Sequence, residues 1–157
     1  MDDFIPNIAI QQPDDESVMV QEPPLRLMAV IQEADTINLN RRIYPRKVLE
    51  QQIDRLQDDV RNRRYMGELG VPVEAMVHFS KASHLVTDLF MSDNKMMAEI
   101  EVLDTPAGQQ LKTLLSAGVP IGFRMSGVGG GKLDDYGRFV VDESYKLVQI
   151  FACNDPA

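Results

Sequence analysis

SHLVTDLFMSDNKMMAEIEVLDTPAGQQLKTLLSAGVP, residues 83 to 120, decides the fold class. It reads as two apolar-rich strands, SHLVTDLFM and KMMAEIEVL, separated by Ser92, Asp93 and Asn94, residue types that favour tight turns. A hairpin or meander is the expected outcome. A helix follows at once: Thr105 stands as N-cap, Pro106 at the first helical position, Leu111, Leu114 and Leu115 on one face, and Gly118 at the C-terminal stop. Two paired strands running into a well-capped helix cannot belong to an all-α or an all-β chain.

Outward from this stretch the same alternation continues. LRLMAVIQE, from Leu25, is an apolar run of strand length, and MVHF, from Met76, reads as a further strand. Between them IYPRKVLEQQIDRLQDDVRNRRY places Leu49, Ile53, Leu56 and Val60 at spacings of four, three and four, which predicts an amphipathic helix of about five turns. Its other face carries Arg46, Glu50, Gln57 and Arg61; Asp54, Asp58 and Asp59 interrupt the positive field, so a solvated face is expected there and not a nucleic-acid patch. After the turn Asp134, Asp135, Tyr136 and Gly137, RFVVDESYKLVQIFAC reads as two strands. The fold class is α+β, a mostly antiparallel sheet or barrel with two flanking helices.

The 157 residues divide unevenly in charge. Residues 1 to 24 hold six acids, four of the nine prolines and no lysine or arginine, which accounts for six of the eight net negative charges. They are expected to form an acidic arm ahead of a nearly neutral domain at 25–157, with Phe4, Ile5, Ile8 and Ile10 as apolar anchors for a partner. The acidic balance excludes nonspecific duplex binding, which depends on Lys and Arg neutralising phosphates; no nucleic-acid partner is expected. No apolar run approaches the roughly 18 residues of a membrane-spanning helix, and MDDFIPNIAI lacks the basic-then-apolar order of a secretion signal, so an intracellular protein without a membrane partner is expected. The single Cys153, in an apolar run, reads as a buried small hydrophobe.

Candidate chemistry is sparse. GVGGGK, Gly127 to Lys132, lacks the four-residue gap of a phosphate-binding loop and puts Leu133 where Ser or Thr would ligate magnesium, so a turn or loop is expected and no nucleotide cofactor. His78 and His84 lie six apart on expected neighbouring strands near Glu68, Glu74 and Asp88, a spacing with no metal-site specificity; no metal is expected. Ser83, Ser126 and Cys153 are available nucleophiles, but a few such residues occur in any chain of this size.

Several segments, taken in order, resemble the prohead core proteases of tailed bacteriophages, serine proteases that clear the scaffold during capsid maturation. The segments are NLNRRIYPRKVLE from Asn38, GELGVP from Gly67, SHLV from Ser83, LDTPAGQQLKTLLSAGVPIGFRMSGVG from Leu103, and YKLVQIFACNDPA from Tyr145. The resemblance implies a compact barrel-like sheet with flanking helices, related to the herpesvirus assembly protease fold. It also implies where the chemistry would sit: a histidine base in a GELxHP motif and a nucleophilic serine opening an SSRG motif. In this chain the histidine position is Val71, and the gapless reading of GFRMSGVG puts Arg124 at the serine position. Many relatives carry an aspartate near the position of Phe151. Valine cannot accept a proton, and a guanidinium is permanently cationic and not a nucleophile.

The expectation is therefore a non-catalytic homologue, a structural protein of a phage capsid with a decoration, lining or assembly role. It would bind the major capsid protein, in multiple copies on a symmetric shell, and would lie in the virion capsid and, during assembly, in the host cytoplasm. An assembly factor that pairs with scaffold or with an active prohead protease shares the same altered site. The alternative is an active serine endopeptidase cleaving scaffold and capsid precursors, with Ser126 as a shifted nucleophile and His84 as a relocated base, two independent accommodations.

Overall fold

The computed structural model describes residues 23–154. Strand β1 (Arg26–Glu33) opens the domain, followed by the short β2 (Arg42–Ile43), helix α1 (Arg46–Arg61) and β3 (Met66–Glu68). The hairpin β4 (Ala82–Ser92) and β5 (Lys95–Val102) leads into helix α2 (Pro106–Ser116); β6 (Gly122–Val128), β7 (Gly131–Leu133), β8 (Phe139–Val141) and β9 (Lys146–Cys153) complete it. The architecture is the expected α+β, with mostly antiparallel pairing. None of the described helices is long and apolar enough to cross a membrane.

Local chemistry accounts for the helices. In α1 the side chains of Val48, Leu49, Ile53, Leu56 and Val60 are buried, as their spacing requires. Pro45 supplies no side-chain cap, and the first free backbone N–H, on Arg46, is met instead by the carboxylate of Asp35 at 3.1 Å. In α2 the Thr105 hydroxyl accepts from the Gly108 N–H at 3.0 Å and donates to the Ala82 carbonyl, so the N-cap also fastens the helix to β4. Gly118 ends it with φ +79°. The turn at Ser92, Asp93 and Asn94 forms as expected, Asp93 taking φ +52°.

The main sheet has the order β1-β5-β4-β3. A parallel bridge between Leu69 and Ala152 joins its β3 end to β9, and β9 pairs with β6. Strand β6 returns alongside β1 without a hydrogen-bonded ladder, so the six strands curl into a barrel-like ring with one open seam. Strands β2, β8 and β7 form a separate small sheet. The core between the layers is built on Leu49, Leu89, Met96, Ile100, Leu111 and Ile150, all essentially inaccessible to water.

Three expectations need correction. MVHF is not a strand: residues 70–78 run irregularly into a 3-10 turn at Phe79–Lys81, because Met76 and Phe79 are exposed and the segment has no neighbouring strand to pair with. His78 and His84 therefore do not lie on neighbouring strands. The glycine-rich run is only in part a loop; Gly127 closes on β9 within β6, Gly131 opens β7, and Gly129 and Gly130 alone lie between them. Gln57, expected on the solvated face of α1, is half-buried, and its amide donates to the Leu89 carbonyl at 3.0 Å. The acidic arm's Phe4, Ile5, Ile8 and Ile10 lie outside the described residues.

Candidate functional site

Strand β9 organises the region to which the sequence resemblance points. One edge pairs with β6. The other meets no continuous strand, yet its backbone polar groups are buried and need partners. Side chains provide them. The Gln52 carboxamide donates to the Tyr145 carbonyl at 2.8 Å and accepts from the Leu147 N–H at 2.9 Å, while Arg55 donates to the Leu147 carbonyl at 2.8 Å. Further along, the His84 Nε2–H donates to the Ile150 carbonyl at 2.8 Å, and the Gly70 N–H to the Ala152 carbonyl at 2.7 Å.

His84 is thereby assigned a tautomer. A carbonyl can only accept, so Nε2 carries the proton and Nδ1 accepts from the Ser83 hydroxyl at 2.8 Å. The ring packs edge-on against Phe123, with centroids 5.2 Å apart. Burial pushes its pKa down to about 4, the hydrogen bond to Ile150 opposing that shift. Ser83 and His84 form a hydroxyl–imidazole pair, but both are 0% exposed, so no peptide bond can reach the oxygen. Space around the ring is tight: a Cβ at Gly67, opposite His84 in β3, would strike both the ring and the Ile150 carbonyl.

Val71, Arg124 and Phe151, the positions singled out by the sequence resemblance, lie on adjacent backbone segments. Arg124 of β6 lies directly opposite Phe151 of β9. The residue after Phe151 accepts from Gly70, and Val71 follows Gly70 on an exposed loop, its side chain 71% accessible. Three adjacent backbone segments thus present a valine, a phenylalanine and an arginine. None of these accepts a proton or supplies an attacking oxygen at neutral pH. Arg124 lines a recess of about 30 Å³ with Asn38, Asn40 and Tyr44, room for about one water.

The alternative pair, Ser126 and His84, is not brought together. Both ring nitrogens of His84 are engaged elsewhere, and Ser126 makes no hydrogen bond to an imidazole. Strand alternation gives the reason: Phe123 faces the His84 ring, and Ser126, three residues on, leaves β6 on the opposite face beside Gln149. His78 sits in the loop, its Nε2 2.6 Å from the Glu74 carboxylate and its backbone N–H donating to the buried Glu68 carboxylate at 2.7 Å. Among the described residues no group of three or more His, Cys, Asp or Glu could hold a metal ion. Cys153 is buried at the end of β9. The edge-capping role of His84 has no sequence signal, since its partner Ile150 lies 66 residues away.

Comparison with known proteins agrees with this frame. The model of the family described as prohead core protein serine protease matches residues 2–153. The chain is 25% identical over 148 residues to the prohead core protein protease of Enterobacteria phage T4, covering 92% of this chain and 70% of that protein. Its fold is similar to the solved structure of the bacteriophage T4 capsid assembly protease, with a TM-score of 0.78 and 26% identity over 83% of this chain and 82% of that one. With nearly its whole length matched, the chain belongs to the prohead core protein serine protease family.

Proposed function

We propose that this chain is a non-catalytic member of its family that serves as a structural or assembly protein of a phage capsid. What supports the reading is that Val71, Phe151 and Arg124, at the positions the sequence resemblance assigns to the family's reactive groups, lie on adjacent segments. Loss of the serine or histidine of a hydrolytic triad costs on the order of 10⁶ in kcat, so a scaffold lacking both is kept for binding. Its partners are the major capsid protein and, during assembly, scaffold or a separate active prohead protease. It acts inside the procapsid in the host cell, in several copies on the shell, and persists in the virion. The acidic segment 1–24 is an appendage to the domain at 25–157.

The competing reading is an active serine endopeptidase with Ser126 and His84, which would require His84 to leave the core and Ser126 to change face. One assay separates the two. The purified chain is incubated with scaffold and capsid precursors of its own phage; intact substrates are expected. Fragments that disappear in Ser126→Ala would overturn the non-catalytic reading, and absence of the chain from intact mature capsids, seen by cryo-EM, would remove the decorating role.

A further inference from the structure

At the C-terminal end of α1 a pocket of about 340 Å³ opens between that helix, the start of β9 and the end of β6. Its rim is basic. Arg64 and Lys146 form no ion pair among the described residues, and Arg55 donates only to neutral acceptors, the Gln52 amide and the Leu147 carbonyl. Asp59 is the single acid in the lining. The floor between these cations is apolar, with Met66, Val77 and Val128, the last 47% exposed. Unpaired cations around an exposed apolar floor call for an acidic segment with apolar side chains.

Such a segment belongs to the chain itself. Residues 1 to 22 carry six acids and no cation, and their acidic clusters stand next to apolar residues: Asp2 and Asp3 before Phe4 and Ile5, and Asp14, Asp15 and Glu16 before Val18 and Val20. The place where this segment joins the fold is close to the pocket. The Leu25 carbonyl accepts from Val102 in β5, and Arg26 reaches the Glu101 carboxylate at 3.1 Å. The same carboxylate holds Arg63 at 2.6 Å, and the next residue is Arg64 on the pocket rim. An extended segment of this length spans about 70 Å, several times the distance bridged by those side chains.

The geometry points to the pocket of Arg55, Arg64 and Lys146 as the docking site for the acidic N-terminal arm of the same chain. The arm's carboxylates pair with the rim cations while its apolar residues cover Met66, Val77 and Val128. This goes beyond the functional reading above and does not depend on it, since the pocket is separate from Val71, Phe151 and Arg124.

Zero-length carbodiimide cross-linking of the full chain at low concentration tests it, because Lys146 supplies the one amine on the rim. The expected product has monomer mass, with Lys146 joined to an arm carboxylate. Its yield falls about fivefold in Arg64→Glu, the size of effect of one exposed ion pair reversed. It falls likewise in the unaltered chain at about 1 M salt, where the screening length is about 3 Å. Arg64 makes no side-chain bond among the described residues, and the salt series needs no variant at all. Lys146 joined to no arm carboxylate, or a yield indifferent to both the charge reversal and salt, would overturn the proposal. A product found only at dimer mass would do so too, assigning the pocket to the arm of a second copy.

Discussion

Acidification from pH 7 to pH 5 should cost this fold stability through one buried imidazole. His84 is neutral in the folded chain, its pKa lowered to about 4 by burial against 6.5 for the free side chain. Between those values the unfolded chain binds a proton that the folded chain refuses. The contribution of His84 is therefore complete above about pH 6.5, declines as the pH falls and levels off below about pH 4. One proton corresponds to a limiting slope of about 1.4 kcal/mol per pH unit, and the fall from pH 7 to pH 5 comes to about 2 kcal/mol. Urea denaturation of the native chain and of His84→Gln, followed by circular dichroism at pH 7, 6 and 5, isolates this contribution. Carboxylates titrate in both proteins and cancel in the difference. At pH 7 the variant should be less stable by about 2 to 3 kcal/mol, having lost the ring packing on Phe123 and part of the hydrogen bonding to Ser83 and Ile150. At pH 5 the gap should have narrowed by about 2 kcal/mol. A gap that stays constant over this range, or a His84 ring resonance that titrates with a midpoint near 6.5, would refute the neutral edge-capping role.

Gly67→Ala should destabilise the fold by about 2 to 3 kcal/mol, because the new Cβ meets the His84 ring and the Ile150 carbonyl, neither of which can retreat without breaking the edge cap; thermal melting measures it. Thr105→Ala removes both the N-cap of α2 and its bond to Ala82, and a loss of about 1 to 2 kcal/mol in urea titration is expected. Glu101→Gln weakens the bridge from Arg26 and Arg63, which stay half-exposed, so about 1 to 2 kcal/mol is expected at pH 7. Arg63 holds the Glu101 pKa below the usual carboxylate range, hence this penalty should shrink as the pH falls through that lowered value, a trend acid-range denaturation curves would reveal.

The elements legible in the residues are those made by near neighbours. Leu49, Ile53, Leu56 and Val60 were readable as one helix face because side chains three and four apart meet whatever the rest of the chain does, and all four are buried. The same holds for Thr105 and Pro106 at the start of α2 and for the turn at Asp93 and Asn94. MVHF misled because Val77 and Phe79 are residue types that favour strands, but a strand exists only beside another strand, and none lies next to Met76. Conversely, Met66–Glu68 is too short and too polar to announce itself and becomes β3 only because β4 offers it an edge.

For the proposed site, the residues alone determined what Val71 and Arg124 can offer: neither side chain supplies a proton acceptor or a nucleophile in any conformation. Tertiary structure alone decided what the remaining groups do. Whether Ser126 faces His84, whether Val71, Phe151 and Arg124 share one neighbourhood, and whether an imidazole caps a strand or opens to solvent all depend on which distant segments lie side by side. Side-chain chemistry is a property of the residue; access, facing and protonation are properties of the packing around it.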